Sequence, residues 1–341
     1  MDIELLEERG RIFRAVRSFF DSKGYLEVDT PILAPHLIPE TCLEVFKTEY
    51  ILPPDSQGRS RKRDYYLVPS PELWMKQLIA QHRRSLYQIS KCFRNGESTG
   101  RLHSPEFTML EYYTMEADYR DSLAITEELF RAVLPKDAPS ELKPPFIQLS
   151  MEEAFKQYAG FSLYTVAAQG RPAMAEEARR LGLPVPDFLD LGDLYNLIFV
   201  HTVEPRLLKE GPVALMNYPA FVPCLAKNLE GTGKETLAKE RWELYVRGIE
   251  LANCYTEETD PDEVRRYFST EGAKKQTSAL VPHQIDEQYW QVFQGRKDTQ
   301  GQVQPFPACS GVAMGLDRLV MAITGRSTID SVLPFPMTGN Q

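Results

Sequence analysis

The chain has 341 residues, a formal net charge of −9 and 43% hydrophobic residues. This composition is ordinary for a globular protein with a large core, and the length fits either two average domains or one large catalytic domain. The densest positive clusters, 59–63 and 82–84, are short and are interpreted as solvated surface. A general nucleic-acid-binding protein is therefore disfavoured.

Membrane insertion and secretion are not indicated. The first eight residues are acidic where a signal peptide would be basic, and no run approaches the roughly 18 apolar residues of a membrane helix. The five cysteines lack the spacing of zinc ligands, so we expect no structural zinc site and no disulfide framework. The sequence predicts a cytoplasmic protein.

The first predicted element is an amphipathic helix near the N-terminus. Its apolar residues, which recur at helical spacing, are Leu5, Leu6, Ile12, Phe13, Val16, Phe19 and Phe20. A second helix start is predicted at Ser70-Pro71-Glu72, with Ser70 as the N-cap and Pro71 in the first helical position. Between about 115 and 215, helical runs alternate with proline-rich connections and indicate no chemistry.

Two β-like runs joined by a glycine-containing loop, around 90–113, carry the most informative side chains. Along the second run, Phe107, Glu111 and Tyr113 share one face by their period of two. A carboxylate on a buried face is costly unless it has a partner. The pattern leaves two interpretations open: this face lines a wet pocket, or Glu111 is ion-paired in the core.

Two glutamates in the last third of the chain suggest a metal site. Glu243 and Glu250 are an odd number of residues apart, so a regular strand would send them to opposite faces. A bulge at Gly248 would turn both carboxylates to one side, where they would suit a Mg²⁺ ion that also binds phosphate. The alternative is that Glu243 pairs with Arg241 or Arg247 on a solvated strand.

Two other segments of the last third could be taken for functional sites from their residues. Gly231 to Thr236 looks like a phosphate-binding loop, but Glu235 follows the lysine where a P-loop has Ser or Thr, so we predict a polar loop. Asp260-Pro261 predicts a helix start. Glu257 lies just before that cap and by itself indicates only loop surface.

Three segments, in order, resemble the motifs of the class II aminoacyl-tRNA synthetases, and within them the lysyl branch. The helix and strand of about 11–31 resemble motif 1, Arg94 to Tyr113 (about 90–113) resembles motif 2, and Gly311 to Leu319 (about 309–325) resembles motif 3. The resemblance implies an α+β fold with a mainly antiparallel sheet flanked by helices. It also implies one catalytic domain over 1–341 with a variable insertion at about 115–215, and a homodimer formed through motif 1.

Position by position, the resemblance assigns roles to individual residues. Arg94 and Arg318 would be catalytic, because they would neutralise charge that develops as pyrophosphate leaves. The ATP-binding residues would be Arg94, Glu97, His103, Phe107 and Arg318. The residues that bind the amino-acid substrate would be Glu72, Glu111, Tyr113, Asn253, Glu257 and Ala313. Glu243 and Glu250 would hold Mg²⁺.

The reaction that the resemblance implies is attack of a carboxylate oxygen on the α-phosphorus of ATP, followed by transfer from the adenylate to an acceptor. Lysyl-tRNA synthetases carry an N-terminal OB-fold that binds the anticodon before motif 1, whereas motif 1 begins here within the first 20 residues. We therefore expect no such domain and do not expect tRNA as a partner. The resemblance is instead to lysyl-synthetase-like paralogues that join lysine or β-lysine to a lysine of elongation factor P.

Ala313 bears on which amino acid is used, because lysyl-tRNA synthetases have glycine at the matching position. A methyl group there would favour an amine moved one carbon along, by roughly 1–3 kcal/mol; the alternative is an alanine packed in a strand. The loop Arg94-Asn95-Gly96-Glu97 is one residue longer than the family pattern, and Ser104 replaces a customary asparagine. Two other hypotheses stay open: a ligase acting on tRNA or on a free amino acid, and a catalytically silent regulatory paralogue.

Overall fold

The computed structural model describes residues 2–97, 101–207, 211–230, 237–297 and 300–337. Its α-helices are Ile3–Ser22 (α1), Glu72–His82 (α2), Tyr119–Val133 (α3), Met151–Tyr158 (α4), Leu163–Ala168 (α5), Arg171–Arg180 (α6), Leu191–Ile198 (α7), Glu204–Leu207 (α8), Pro261–Ser278 (α9) and Leu316–Thr324 (α10). Its strands are Leu26–Glu27 (β1), Leu33–Ala34 (β2), Phe46–Leu52 (β3), Arg61–Leu67 (β4), Leu86–Phe93 (β5), Glu106–Met115 (β6), Ile147–Ser150 (β7), Val213–Pro219 (β8), Ala238–Val246 (β9), Ile249–Thr256 (β10), Arg296–Lys297 (β11), Val303–Gln304 (β12) and Cys309–Gly315 (β13). The predicted polar loop, 231–236, lies outside the described residues.

The chain divides into two compact units. The first comprises Met1–Ala117 and Glu257–Gln341. Its main strands lie in the order β1, β5, β6, β13, where β1 is parallel to β5 and the other neighbours are antiparallel. A smaller antiparallel sheet has the order β2, β4, β3. The predicted α+β class with mainly antiparallel strands is confirmed.

Helix α1 confirms the first prediction and covers one face of this sheet. Asp2 caps it by accepting hydrogen bonds from the backbone N–H groups of Glu4 and Leu5. Phe20, fully buried, stacks on Tyr87 of β5 and contacts Tyr112 of β6, with ring centroids 4.9 and 4.8 Å away. The even-numbered face of β6 therefore packs against the motif 1 helix, which leaves the odd-numbered face for other contacts.

An ion pair joins helix α1 to the segments that resemble motifs 2 and 3. The carboxylate of Asp317, at the start of α10, accepts a hydrogen bond from the backbone N–H of Thr108 at 2.6 Å. Its other oxygen lies 2.6 Å from Nη1 of Arg9 on α1. Because Asp317 immediately precedes Arg318, this contact fixes the helix turn that carries the predicted catalytic arginine.

The second unit, Asp118–Thr256, has its own core. Its strands lie in the order β10, β9, β8, β7, with β7 parallel to β8 and the other neighbours antiparallel. The helical runs predicted between about 115 and 215 form α3 to α8. Apolar side chains from α4 to α8 pack together with those of β8, and these include Phe155, Leu194, Tyr195 and Leu215.

The segment around Gly248 differs from the prediction of one strand with a bulge at that glycine. It is a hairpin in which Arg247 and Gly248 form a two-residue turn, both with positive φ (52° and 69°), as in a type I′ turn. The bulge lies farther along, between Glu250 and Ala252. The expected convergence still holds, because Glu250 pairs with Tyr245, which shares a strand face with Glu243.

The predicted helix starts are close to the observed ones. Helix α2 begins at Glu72, one residue later than expected, with Pro71 rather than Ser70 in the N-cap position; the hydroxyl of Ser70 still accepts a hydrogen bond from the Glu72 N–H at 3.1 Å. The cap predicted at Asp260 of α9 is confirmed. Within the described ranges, no helix is both long and apolar enough to cross a membrane.

Candidate active site

The residues predicted to bind ATP come together in the first unit. The Arg94 guanidinium lies 5.2 Å from the centroid of the Phe107 ring. The Glu97 carboxylate lies 3.9 Å from Nη1 of Arg94 and 3.6 Å from Nε2 of His103. Nε of Arg94 is buried without a hydrogen-bond partner in the described part of the chain, so one donor of this guanidinium is available to an anion.

Positive charge surrounds His103. Burial lowers the pKa of His103, and the nearby charge of Arg318 lowers that pKa further, against the attraction of Glu97. Arg94 acts in the same direction as Arg318. His103 is therefore neutral at neutral pH in the absence of ligand, and the two guanidiniums supply the positive charge of this region.

Glu111 is buried, with 2% of its surface exposed, and is held by hydrogen bonds. Its two carboxylate oxygens accept hydrogen bonds from the Ser70 hydroxyl at 2.6 Å and the Tyr113 hydroxyl at 2.7 Å. Burial raises the pKa of Glu111 to about 8, and the charge of Glu72 adds to this effect. The structure combines parts of the two open interpretations: Glu111 is buried as in the core, but its hydrogen-bond partners are hydroxyl groups rather than a cation.

A residue that the sequence prediction missed, Lys76, contacts two of the glutamates that were predicted to bind the substrate. The Lys76 ammonium is fully buried and lies 2.5 Å from Oε1 of Glu72 and 2.6 Å from Oε2 of Glu257. Burial alone would lower the pKa of Lys76, but attraction to Glu257 and Glu72 raises that pKa well above its usual value. Lys76 therefore stays charged and joins the buried carboxylate of Glu257 to the partly exposed carboxylate of Glu72. We call Glu72, Glu111 and Glu257 the carboxylate cluster.

Strand β13 borders the carboxylate cluster with small residues. Gly311 pairs with Tyr113, and Ala313 pairs with Glu111 on the neighbouring strand β6. A Cβ atom on Gly311 would lie 2.3 Å from Oε1 of Glu257 and 2.5 Å from the Tyr113 ring, so only glycine fits there. Because paired residues face the same side of a sheet, Ala313 shares the face of Glu111.

In the second unit, Glu243 is tightly held. Its Oε1 accepts a hydrogen bond from Nη2 of Arg241 at 2.6 Å, while Oε2 accepts from the hydroxyls of Tyr218 at 2.5 Å and Tyr245 at 2.8 Å. The Arg241 guanidinium lies 4.3 Å from the Tyr218 ring centroid and 5.4 Å from that of Tyr255. The ion pair with Arg241, weighed as an alternative from sequence, thus exists, but it is buried rather than solvated.

The second unit nevertheless retains groups that fit a magnesium ion. A carboxylate has about four lone-pair positions, and three of those on Glu243 are used, which leaves one on Oε1. Asn253 pairs with Glu243, so Asn253, Glu243 and Glu250 face one side of the hairpin. The amide oxygen of Asn253 is buried without a hydrogen-bond partner among the described residues. Oxygen donors of this kind suit Mg²⁺ when phosphate and water complete its shell.

Comparison with known proteins identifies the class that this fold and these residues define. The chain matches the family described as tRNA synthetases class II (D, K and N) over residues 3–339, and it belongs to that family. It is therefore an ATP-dependent amino-acid ligase of the class II type, and the family implies that it uses ATP.

Three relatives are similar over almost the whole chain. The chain is 32% identical to the "Elongation factor P--(R)-beta-lysine ligase" of Haemophilus influenzae (strain PittGG), over 98% of this chain and 95% of that protein. It is 33% identical to the protein of the same name from Proteus mirabilis (strain HI4320), over 97% and 94%. It is 31% identical to the "Lysine--tRNA ligase" of Pelotomaculum thermopropionicum (strain DSM 13744 / JCM 10971 / SI), over 98% of this chain and 63% of that protein.

Proposed function

We propose that this protein activates a lysine-type diamino acid with ATP and transfers it to a lysine side chain of elongation factor P, with (R)-β-lysine as the preferred amino acid. The observation that carries the proposal is the carboxylate cluster in the same unit as Arg94 and Arg318. The cluster has three carboxylates, and Lys76 brings a single positive charge to two of them, so the cluster can accept further cations; a diamino acid brings two. Relatives that bear the name of such a ligase support the same assignment.

In the first step, a carboxylate oxygen of the amino acid attacks the α-phosphorus of ATP. The new bond forms as the bond to the bridging oxygen of the β-phosphate breaks, and pyrophosphate leaves. Arg94 would contact the α-phosphate and the substrate carboxylate, and Arg318 the γ-phosphate. Phe107 would stack on adenine, Glu97 would contact the base, and His103 would reach the phosphates.

The carboxylate cluster would hold the amino acid by its two ammonium groups. Glu72 would bind the amine nearer the reacting carboxylate, and Asn253 would contact that carboxylate. Glu257, Glu111 and Tyr113 would surround the far ammonium, because a compact ammonium must regain several acceptors when it loses water. Ala313, on the face of Glu111, would reduce the space available to an α-amine.

In the second step, the amine of the acceptor lysine attacks the carbonyl carbon of the adenylate. An amide bond forms, the mixed anhydride breaks, AMP leaves, and the amine proton passes to solvent. Positioning and charge stabilisation supply the catalysis, and no side chain of the enzyme becomes covalently attached.

Glu243 and Glu250 would hold Mg²⁺, which would supply positive charge to the phosphates when bound.

We also propose a homodimer that forms through the motif 1 segment. This segment and the residues that follow it expose three large apolar side chains. Each is at least 40% exposed: Leu26, Ile32 and Leu33. Exposed apolar side chains that cluster along one segment are typical of an interface.

The test is ATP–pyrophosphate exchange with α-lysine and with (R)-β-lysine in parallel, followed by mass spectrometry of elongation factor P after incubation. We expect exchange with (R)-β-lysine and a mass increase of one aminoacyl group on elongation factor P. No exchange with any diamino acid would contradict the proposal and would favour a catalytically silent paralogue. The presence of Arg94, Arg318, Glu243 and Glu250 argues against that alternative.

A second candidate function is aminoacylation of tRNA with lysine. The similarity to a lysine–tRNA ligase supports it. The same assay discriminates the two when tRNA replaces elongation factor P: labelled lysine on tRNA, with unmodified elongation factor P, would favour this candidate.

A further inference from the structure

Lys76 lies between two carboxylates that are proposed to bind the positive charges of the substrate. It is on helix α2, four residues after Glu72, and its ammonium contacts the carboxylates of both Glu72 and Glu257. These two residues are the ones assigned to opposite ends of the diamino acid. Lys76 therefore stands between the two ammonium subsites rather than in either of them.

Lys76 holds the Glu72 and Glu257 carboxylates close together. Its ammonium lies 2.5 Å from one oxygen of Glu72 and 2.6 Å from one oxygen of Glu257. Without a cation between them, two buried carboxylates repel each other and take up a proton or move apart. Glu257 has little freedom on its other side, because Oε1 lies against Gly311 and the Tyr113 ring.

Glu72 is the most exposed of the side chains that meet at Lys76. The Glu72 side chain is 17% exposed, whereas those of Lys76 and Glu257 are 1% and 3% exposed. From this side, a substrate ammonium would reach the second oxygen of Glu72, and the far ammonium would lie beside the Glu257 carboxylate. Lys76 would then hold together the two carboxylates that bind the two substrate cations.

We propose that Lys76 is a specificity-determining residue that sets the separation of the two ammonium subsites and so favours four carbon atoms between the substrate nitrogens over five. The nitrogens of (R)-β-lysine are four carbons apart, and those of α-lysine are five apart. This inference rests on the proposed function and adds a determinant that acts independently of Ala313. Ala313 affects where the near amine lies relative to the carboxylate, whereas Lys76 affects the distance between the two amines.

The test uses diamines that lack a carboxylate, so that Ala313 has no part in the discrimination. The inhibition constants of 1,4-diaminobutane and 1,5-diaminopentane are measured against ATP–pyrophosphate exchange with (R)-β-lysine. We expect the wild-type protein to prefer the four-carbon diamine by roughly tenfold, the scale of one methylene in a shaped pocket. Lys76→Met, which keeps the length of the side chain without its charge, should lose this preference and raise the KM for (R)-β-lysine.

Two variants serve as controls. Lys275→Met removes another buried lysine of the same unit, whose ammonium donates to the backbone carbonyl of Leu43 instead of to carboxylates. It should lower stability and keep the diamine preference. Ala313→Gly should change the ratio of kcat/KM for (R)-β-lysine and α-lysine and also keep the diamine preference. If Lys76→Met does not fold, Lys76→Gln provides the same comparison.

Three outcomes would overturn the inference: no inhibition by either diamine, no preference in the wild-type protein, or the same preference in the Lys76 variant. Each is distinct from failure of the proposed function, which would appear as the absence of exchange with every diamino acid. Exchange without a diamine preference leaves the ligase assignment standing and removes Lys76 as a determinant of spacing.

Discussion

Burial and substrate binding have opposite effects on the ionisation of Glu111. Its pKa is raised to about 8 in the ligand-free protein, chiefly by burial. A substrate ammonium requires the ionised carboxylate, so binding must release a proton below that pH. We predict that the KM for the diamino acid falls as the pH rises from 6 to 8.5. Initial rates of pyrophosphate exchange at saturating ATP measure this.

The KM for ATP provides the control for this prediction, because ATP is assigned to Arg94 and its neighbours rather than to Glu111. It should not follow the same pH profile. A KM for the diamino acid that is constant between pH 6 and 8.5 would show that Glu111 is ionised before the substrate arrives, or that it does not bind the substrate.

Arg318 is predicted to carry a large part of the charge stabilisation. It lies in the first turn of α10, and its Nε donates to the backbone carbonyl of Leu102 at 3.2 Å. Arg318→Ala should lower the rate of pyrophosphate exchange by roughly 10²–10³, as expected for one donor to a developing charge. The matched control is Arg265→Ala, which removes an exposed arginine that lies over the Trp290 ring. A loss in both variants would contradict a specific role.

Sequence patterns grouped the residues proposed to bind ATP more completely than those proposed to bind the amino acid. Arg94, His103 and Phe107 lie close together in the chain, so a local motif was enough to group them. Lys76 and Glu72 have the i, i+4 spacing of an ordinary ion pair on a helix surface. Their burial, and the contact of Lys76 with Glu257, depend on tertiary packing that no local pattern records.

Among the elements, the β9–β10 hairpin differs most from the sequence prediction. The turn Arg247-Gly248 lacks the Asn-Gly or Asp-Gly signal of most two-residue hairpins, so the sequence was interpreted as one strand. The hairpin brings Glu243 and Glu250 to one face through cross-strand pairing instead of through a bulge. By contrast, the apolar spacing of α1 was sufficient to predict that helix, because the helical period repeats several times along a long amphipathic helix.

The hairpin turn should be sensitive to the residue at position 248. Gly248 has a φ of 69°, a conformation that is strained for a β-branched side chain. Gly248→Val should lower stability by about 1–2 kcal/mol and raise the magnesium concentration needed for half-maximal exchange. Thermal unfolding and magnesium titration measure the two effects.

Arg247→Gly is the control for this turn, since it replaces another residue of positive φ with one that tolerates it. It also removes a surface ion pair with Glu141, which contributes little. Stability close to that of the wild type is expected. If Gly248→Val were as stable as the wild-type protein, the turn would not have the conformation described.

At the scale of the whole molecule, we expect self-association through motif 1. Leu33→Glu places a charge among the exposed apolar residues Leu26, Ile32 and Leu33 and should shift a dimer to a monomer in sedimentation. Leu280→Glu, at another highly exposed leucine, is the control and should leave the association unchanged. A wild-type monomer at micromolar concentration would contradict the proposed dimer.

The carboxylate cluster and the arginines are proposed to serve one reaction, the activation of a diamino acid for transfer to elongation factor P. The most direct measurement is the mass of elongation factor P after incubation with the protein, ATP, magnesium and (R)-β-lysine. We expect an increase of one β-lysyl group on a lysine, and no increase when ATP is omitted. Unmodified elongation factor P, together with no pyrophosphate exchange for any diamino acid, would contradict it.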